Sequence, residues 1–325
     1  MKEKDSQSSA ISCIKTQSKP YRNSFRRTKE SRREVFDAYL FISPLVIGVT
    51  IFWIGPIVAS FVMSLTKWSI IELPQFVGLK NYIRMFSDVQ LRKELLNTLV
   101  FTSVTVPVTI ILSLFLSVLL NSKIKGQTIF RTIYFIPVIT MPVAIALVWQ
   151  LLLNSQYGFV DQILFTLFKI RPIWLGDPKL IMLSVIIVTI WKNIGYYMIF
   201  LLAGLQGIPK TLYEAAEIDG ASPITKLFKI TIPLLTQTIF FVLTVSVMNA
   251  LKEFDLIYMF AGAANSVQGP TVDAVRTLVY GIYETGFTYY WMGYASAKAF
   301  LLFLIIMTIT LIQLKLQKKW VYYEN

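Results

Sequence analysis

The sequence predicts an all-α membrane protein with six transmembrane helices, and three observations support this fold class. Hydrophobic residues make up 55% of the 325 residues and charged residues only 15%, whereas ordinary soluble domains have about 45–50% and about 25%. Six almost charge-free segments reach the roughly 20 residues that a helix needs to cross a bilayer. None of them alternates apolar and polar residues, as the strands of a membrane barrel do. The composition excludes a disordered chain and argues against a soluble enzyme.

The N-terminal segment, residues 1–38, is a polar tail with ten basic and five acidic residues. We expect helix in it only near Glu34. The run 31–36 contains two adjacent arginines and resembles a twin-arginine export signal. We favour a basic anchor for the first span, because no small-residue cleavage site follows and further spans come later.

Each of the six apolar segments predicts a helix, because only a helix satisfies its own backbone in lipid. Lys192 lies inside the fourth segment, Lys252 near the far end of the fifth, and Lys298 inside the sixth. The predicted spans are about 39–66, 95–121, 132–154, 180–205, 234–260 and 291–314, which together make a membrane domain over 39–320.

The distribution of Lys and Arg predicts that both termini, including 321–325, lie in the cytosol. Of the 31 basic residues, 19 fall in the segments that this orientation places inside, and nine fall in the segments that it places outside. Cytosolic loops carry the excess of basic residues in membrane proteins. The net charge of +13 is therefore explained by orientation in the membrane, without nucleic acid. The inside segments are 1–38, 121–131, 205–235 and 315–325, and the outside segments are 67–93, 154–179 and 262–290.

Two residue types restrict the possible chemistry. Histidine is absent, which excludes a Ser-His-Asp triad, His-ligated zinc and a His proton relay. The single cysteine, Cys13, can form neither an internal disulfide nor a cysteine cluster.

The second outside loop contains apolar residues at helical spacing between Val160 and Phe168. This spacing predicts a short helix on the outer membrane interface. Packing between the spans explains the same spacing equally well.

Segment 205–235 has more local signals than a connecting loop needs. Pro209 can open a helix, and Gly220 can end it in the left-handed conformation. Ser222 and Pro223 then offer an N-cap and a first position for a second helix. Ala215 and its neighbour give the first helix a smooth surface that a partner can approach closely. These signals predict a docking element with Glu214 and Asp219 at its edges.

This segment resembles the EAA motif of the permeases of binding-protein-dependent ABC importers. The motif is Glu-Ala-Ala, then Gly after three residues, and Ile after nine more, usually followed by a Leu-Pro pair. Here it is Glu214-Ala215-Ala216, Gly220 and Ile230, with Ile232-Pro233 in place of Leu-Pro. The resemblance covers roughly 37–320. Matching pieces at 76–82, 130–137, 203–209 and 283–287 make the chain similar to the carbohydrate branch, which includes maltose and glycerol-phosphate permeases.

The resemblance implies a type-I importer bundle, with the last five spans as its core, in the bacterial inner membrane. It implies a transport subunit and not an enzyme, since ATP and Mg²⁺ bind two separate ATPase subunits. The other implied partners are a second permease, with which the chain is expected to form a heterodimer, an extracytoplasmic solute-binding protein and a saccharide. The implied ATPase-coupling residues are Glu214, Ala215, Ala216, Asp219 and Gly220. Residues 207–211 have Pro209 where a P-loop has the glycine directly before its lysine, so we expect no cofactor on this chain.

The resemblance places substrate contacts on the fourth and fifth spans. Aromatic faces with amide or carboxylate groups suit a sugar. Two interpretations of the charged members stay open: they form a structural ion pair, or the lysines face the pathway and the substrate is an acidic oligosaccharide. Lys298 is expected to extend to the membrane interface. The candidate pathway residues are Lys192, Asn193, Tyr196, Tyr197, Ser246, Asn249, Lys252 and Glu253.

Two other functions are weighed against import. An ion-coupled secondary transporter would show mid-membrane carboxylates and similar halves, and we find one carboxylate cluster and no repeat. A non-transport scaffold would not need the docking element. The family's Gly-Gly-Pro after the fifth span is altered within 261–290, where the solute-binding protein is expected to dock.

Overall fold

The computed structural model describes residues 29–122, 125–263 and 269–322. The predictions for residues 1–28, including Cys13, lie outside them. The chain divides into two compact units, Met1–Pro56 and Ile57–Asn325. We describe each unit by itself.

The first unit contains a long helix that begins before the predicted span. Helix α1 (Lys29–Val49) continues through a π-helical turn at Thr50–Ile54 into α2 (Gly55–Ser64), whose later part belongs to the second unit. The stretch Glu34–Ser64 is long and apolar enough to cross a membrane.

The second unit is helical apart from one short strand pair, in which β1 (Thr66–Lys67) runs antiparallel to β2 (Gln75–Phe76). Three π-helical turns lie in the described chain, and two of them, Leu227–Thr231 and Glu284–Thr288, belong to this unit. Its remaining helices are α3 (Lys80–Ser87), α4 (Val89–Asn121), α5 (Gln127–Ile139), α6 (Pro142–Leu152), α7 (Phe159–Phe168), α8 (Pro178–Gln206), α9 (Lys210–Ile218), α10 (Pro223–Lys226), α11 (Ile232–Leu234), α12 (Thr236–Leu251), α13 (Asp255–Ala263), α14 (Pro270–Val275), α15 (Leu278–Tyr283) and α16 (Met292–Trp320).

Within the described residues, four helices are long and apolar enough to cross a membrane, and two bent helix pairs bring the number to as many as six. One pair, α5 and α6, meets at 100° in the third predicted span. Pro142 explains this break, because the residue before a proline avoids helical geometry and Met141 is extended. The other pair bends by 69° next to Leu235, between α11 and α12.

The core of the second unit lies along α4 and α8, whose buried residues include Phe101 and Val185. Close approach of α5 depends on Gly195, because a Cβ there would collide with the backbone carbonyl of Tyr134. Helix α12 completes a second apolar cluster around Leu201. These helices position the functional residues described below.

In helix α4 the distribution of polar and apolar side chains between the buried and exposed faces is the reverse of that in a soluble helix. Its buried face carries hydroxyls such as Thr109 and Ser113, whereas Ile111 and Phe115 are exposed. A helix in lipid exposes apolar side chains at no cost and turns its polar ones toward other helices. The arrangement agrees with a membrane bundle.

The predicted short helix in the second outside loop is present as α7. Val160 packs against the core, whereas Ile163 and Phe168 are exposed. The packing interpretation therefore holds for Val160, and a position of the exposed residues on the outer membrane interface stays a prediction.

Candidate functional site

The docking element predicted at 205–235 folds as two short helices joined by a tight turn. Pro209 directly precedes α9, and Asp219 follows its last residue. The Gly220 amide donates to Glu217 O and the Ala221 amide to Ala216 O. This pair of bonds is the Schellman motif. Gly220 has a φ of +70°, the left-handed conformation that glycine adopts without strain.

The second helix begins with the predicted cap. The Ser222 side chain accepts the Thr225 amide, and Pro223 occupies the first helical position. An ion pair of 2.7 Å between Lys226 Nζ and Glu217 Oε1 joins the two helices across the turn. The hydrogen bond from Lys226 lowers the pKa of the Glu217 carboxyl. The end of α9, the start of α10 and the relative position of the two helices are therefore stabilised by contacts within the docking element.

The element exposes most of the predicted coupling residues. Glu214, Ala215, Asp219 and Gly220 are exposed, and Ala216 is half-buried. Around them lie exposed apolar side chains that the sequence interpretation did not single out. The exposed fraction is 89% for Ile218, 70% for Ile224 and 64% for Phe228. Such an apolar patch beside charged edges is typical of a surface that packs against another protein.

The rest of the chain holds this element in place through Tyr213. Its hydroxyl lies 3.0 Å from Thr231 Oγ1, and its ring packs against the cluster that contains Leu205 and Leu235. A force on the element would therefore reach α8 and α12, which carry the candidate pathway residues.

A small cavity of about 10 Å³ lies between α4, α8 and α12. It brings together five of the eight predicted pathway residues. Asn249 Nδ2 donates to the Tyr197 hydroxyl at 3.3 Å within it. Hydroxyl, amide and carboxylate groups form its polar lining, which suits hydrogen bonding to a polyhydroxylated molecule. The residues lining this small cavity are Thr105, Val106, Thr109, Thr189, Asn193, Tyr197, Ser246, Asn249, Ala250 and Glu253.

Three predicted pathway residues lie beside the small cavity and do not line it. The Tyr196 ring packs edge-on against the rings of Tyr197 and Phe200, with centroids 5.2 Å and 5.0 Å away. Lys192 is half-buried, and Lys252 is exposed after the last residue of α12. A role in transport stays a prediction for all eight.

The ion pair considered for Lys192, Lys252 and Glu253 is not formed. Among the described residues, no Lys–Glu contact within 4.0 Å joins any two of the three. Lys192 still acts electrostatically on the Glu253 carboxyl. Glu253 thus faces the small cavity without a direct salt bridge.

The sequence interpretation missed the contribution of α4 to the small cavity. Thr105 and Thr109 come from this helix, and Thr189 comes from α8 one turn before Asn193. A signal was present, because Thr or Ser recurs every three or four residues along the second predicted span. That spacing places hydroxyls on one helical face.

A large cavity of about 860 Å³ lies near the starts of α4 and α16. Lys298 lines this cavity. The expectation that Lys298 extends to the membrane interface is wrong, because the residue is only 3% exposed. Its ammonium contacts both carboxylate oxygens of Glu94, at 3.1 Å and 3.0 Å, and the Thr285 hydroxyl at 3.1 Å. Glu94 lies just before the predicted second span, where sequence spacing gives no sign of a partner 204 residues away. Gly281 allows this pair, because a Cβ there would collide with the Glu94 carboxylate.

A second group of charges lines the large cavity. Arg276 donates to Asp273 at 2.7 Å and to Glu284 at 2.8 Å, and Lys93 lies 3.1 Å from Asp273. Among its described lining residues, four basic side chains face four acidic ones, so the large cavity has no strong net charge. Asp273, Arg276 and Glu284 lie in the segment 261–290, whose residues 264–268 fall outside the described ones.

Asp88 links α4 to α16 at the edge of the large cavity. Its carboxylate accepts the Gln90 and Leu91 amides and the Tyr294 hydroxyl at 2.5 Å. Partial burial acts to raise the pKa of Asp88, but the Tyr294 and backbone hydrogen bonds outweigh it and hold the pKa below its usual range.

The described residues contain no group of three or more His, Cys, Asp or Glu side chains that could hold a metal ion. At the fragment 207–211, Gly207 follows the last residue of α8 and Lys210 begins α9. A phosphate-binding loop would instead place glycines before its lysine.

Comparison with known proteins agrees with this geometry. The family described as "Binding-protein-dependent transport system inner membrane component" matches residues 88–322. The probable ABC transporter permease protein YesP of Bacillus subtilis is 33% identical over 308 residues, which cover 93% of this chain and 97% of that protein. The trehalose/maltose transport system permease protein MalF of Thermococcus litoralis is 34% identical over 291 residues, which cover 89% and 96%.

A solved structure shares the fold. It is the crystal structure of a bacterial alginate ABC transporter in complex with an alginate pentasaccharide-bound periplasmic protein. One of its chains matches with a TM-score of 0.80 and 21% identity, over 90% of this chain and 98% of that one.

Proposed function

The chain belongs to the family of binding-protein-dependent transport system inner membrane components, and from this membership we propose that it imports a saccharide. In this proposal it forms part of the membrane pathway of an ATP-driven importer, and it is a transport component and not an enzyme. An extracytoplasmic solute-binding protein delivers the saccharide. Closure of two separate ATPase subunits then switches the bundle between outward-open and inward-open states.

The observation that carries the proposal is the docking element formed by α9 and α10. Its two capped helices and exposed apolar patch fit the groove of a partner, as in other helix-in-groove contacts. We propose that Glu214, Ala215, Ala216, Asp219 and Gly220 form the contact with an ATPase subunit. The Tyr213–Thr231 contact supports transmission from this contact to α8 and α12.

We expect the assembly to contain two different permeases. One chain supplies one docking element, and two ATPase subunits need two of them. ATP and Mg²⁺ then belong to the ATPase subunits, and this chain holds no cofactor. The expected location is the bacterial inner membrane, with both termini in the cytosol.

The lining of the small cavity favours a neutral saccharide. Glu253 is the charged residue among its described lining residues, and neither Lys192 nor Lys252 is one of them. A carboxylate accepts hydrogen bonds from sugar hydroxyls and repels a carboxylate on the substrate. The absence of Lys192 and Lys252 from this lining supports a neutral saccharide over an acidic oligosaccharide.

The test is reconstitution of the complete transporter in proteoliposomes. It contains this chain, the second permease, the ATPase subunits and the solute-binding protein encoded beside it. Uptake is measured for maltose, trehalose and an alginate pentasaccharide. We expect ATP-dependent uptake of a neutral member of this panel. Uptake driven by an ion gradient without ATP would favour a secondary transporter, and no uptake under any condition would favour a scaffold.

The contact with the ATPase is tested by the Ile218→Asp variant. A charge at this exposed apolar position disfavours packing in a groove, and we expect co-purification of the ATPase subunits to fall at least tenfold. Ile71→Asp is the matched control, because Ile71 is 90% exposed and lies in a predicted outside loop. Equal co-purification of the two variants would contradict the assigned contact.

A further inference from the structure

Thr105 is a buried threonine whose hydroxyl has no hydrogen-bond partner. It lies on α4, is 4% exposed and lines the small cavity. Burial of a hydroxyl without a partner costs free energy. Such a group in a folded protein therefore calls for a functional explanation.

Three other threonines of α4 and α8 have satisfied hydroxyls, whereas that of Thr102, also on α4, has no partner either. Thr98, Thr109 and Thr189 each donate to the carbonyl oxygen four residues earlier in their own helix, at 2.7–2.8 Å. Thr105 has the same option toward the carbonyl of Phe101 and does not use it. The Thr105 hydroxyl is therefore not bonded to its own helix, and the residue lines the small cavity.

The small cavity is too small for a sugar. Its volume of about 10 Å³ corresponds to about one water molecule. A saccharide can pass only if α4, α8 and α12 move apart at this level. Such a movement would expose Thr105 beside Asn193 and Asn249.

We propose that Thr105 is a substrate-contacting residue of the transport pathway, whose hydroxyl bonds a saccharide hydroxyl when the helices around the small cavity separate. The inference rests on the proposed function and adds α4 to a pathway that sequence similarity places on α8 and α12. A threonine hydroxyl both donates and accepts, as sugar hydroxyls do. It can therefore select for a hydroxyl at one position of the sugar, because an analogue without that group leaves the threonine unpaired.

The first experiment measures uptake by the reconstituted transporter with Thr105→Val, which keeps the side-chain shape and removes the hydroxyl. We expect the apparent KM for maltose, or for trehalose if that is the transported sugar, to rise about 3- to 10-fold, the effect of one hydrogen bond. Thr105→Ser restores the hydroxyl and should stay within twofold of wild type. Thr244→Val is the matched control, because the Thr244 hydroxyl is already bonded to its own helix and Thr244 is not among the residues that line the small cavity.

Thermal stability separates contact with the sugar from a structural role. Because Thr105→Val removes an unsatisfied buried hydroxyl, its melting temperature should equal or exceed that of wild type. Wild-type KM in Thr105→Val, or an equal rise in Thr244→Val, would overturn the inference while leaving the proposed function intact.

A second measurement does not depend on the identity of the sugar. In a Cys13→Ser background, Thr105→Cys gives this chain a single thiol at the small cavity, and the Cys13→Ser transporter without it measures any labelling of the other subunits. We expect a water-soluble methanethiosulfonate reagent to modify it at least tenfold faster during ATP turnover than without ATP. A thiol that stays unreactive in both conditions would overturn the inference even if no panel sugar is transported.

Discussion

The most deeply buried ion pair described in this chain joins Lys298 to Glu94. Removal of one partner of such a pair leaves an uncompensated charge, at a cost of about 3–5 kcal/mol. We expect Lys298→Met to lower the free energy of unfolding by this amount. The double variant Glu94→Leu/Lys298→Met should recover most of the loss, because neither member of the pair is then left as an unpaired buried charge. The measurement is thermal unfolding of the chain purified in detergent.

Lys318→Met is the control for this prediction. Lys318 belongs to the same helix but is exposed, so its replacement should change the free energy of unfolding by less than about 0.5 kcal/mol. If the double variant were as unstable as Lys298→Met alone, the loss would come from packing and not from the unpaired charge.

Asp88 makes a pH-dependent contribution to the free energy of unfolding. Its folded-state pKa lies below the ordinary value of 3.8, so the contribution is complete above that value and is lost as the pH falls through the lowered pKa. We expect Asp88→Ala to cost about 1–2 kcal/mol at pH 7, through loss of the helix cap and of the Tyr294 bond. Asp88→Asn keeps a capping oxygen and should cost less.

The check on Asp88 is a series of thermal unfolding curves between pH 7 and pH 3. The difference in stability between wild type and Asp88→Asn should shrink as the pH falls below the ordinary pKa of the carboxyl. A difference that is constant across this range would mean that the ionised form of Asp88 contributes nothing.

At the scale of the elements, the turn at Gly220 decides whether α9 and α10 keep their relative position. A side chain in the left-handed conformation costs about 1–2 kcal/mol. We expect Gly220→Ala to destabilise the docking element by this amount and to lower saccharide-stimulated ATP hydrolysis of the reconstituted transporter severalfold. Asn tolerates this conformation better, so Gly220→Asn should retain more activity.

Gly48→Ala is the control for the Gly220→Ala variant. Gly48 lies in α1, has no positive φ, and a Cβ there would meet nothing within 4 Å. Alanine is the better helix former, so this variant should hydrolyse ATP like wild type. Equal losses in Gly48→Ala and Gly220→Ala would contradict a specific role for the turn.

Sequence reasoning predicted the elements well where the signal is local. The proline, glycine and serine at 209, 220 and 222 each favour one backbone geometry, and the structure has the turn and the caps that they predict. The break at Pro142 was not predicted, although the proline is visible, because prolines are also tolerated inside membrane helices, as Pro107 is in α4. A hydrophobicity pattern finds the span but not the angle between its halves.

Contacts between distant segments could not be predicted in the same way. Lys298 looked like an interfacial lysine, because nothing within its own span shows Glu94. Thr105 was missed because a threonine in a membrane helix usually bonds its own backbone, and only the structure shows that this one does not. The signal for α4 was the spacing of its hydroxyls, which indicates a buried face but not what that face lines.

At the scale of the whole molecule, the arrangement of basic residues leads to a prediction about orientation. Relatives align along nearly the full chain, but the similarity itself does not say which end faces the cytosol. The excess of Lys and Arg predicts that the docking element lies inside, where the proposed ATPase subunits would have access to ATP. The same orientation places the second outside loop, around Ser155, on the other side of the membrane.

The single native cysteine makes this orientation directly testable. Cys13 lies in the basic tail, so a membrane-impermeant maleimide should label it only after the cell membrane is permeabilised. In a Cys13→Ser background, Ser155→Cys should instead be labelled in cells whose inner membrane is intact, because residue 155 lies in the predicted outside loop 154–179, after the end of α6, and keeps part of its surface exposed. The ratio of labelling before and after permeabilisation should therefore be near zero at residue 13 and near one at residue 155. The opposite pattern would place the docking element outside, away from ATP, and would contradict both the orientation and the assigned contact with the ATPase subunits.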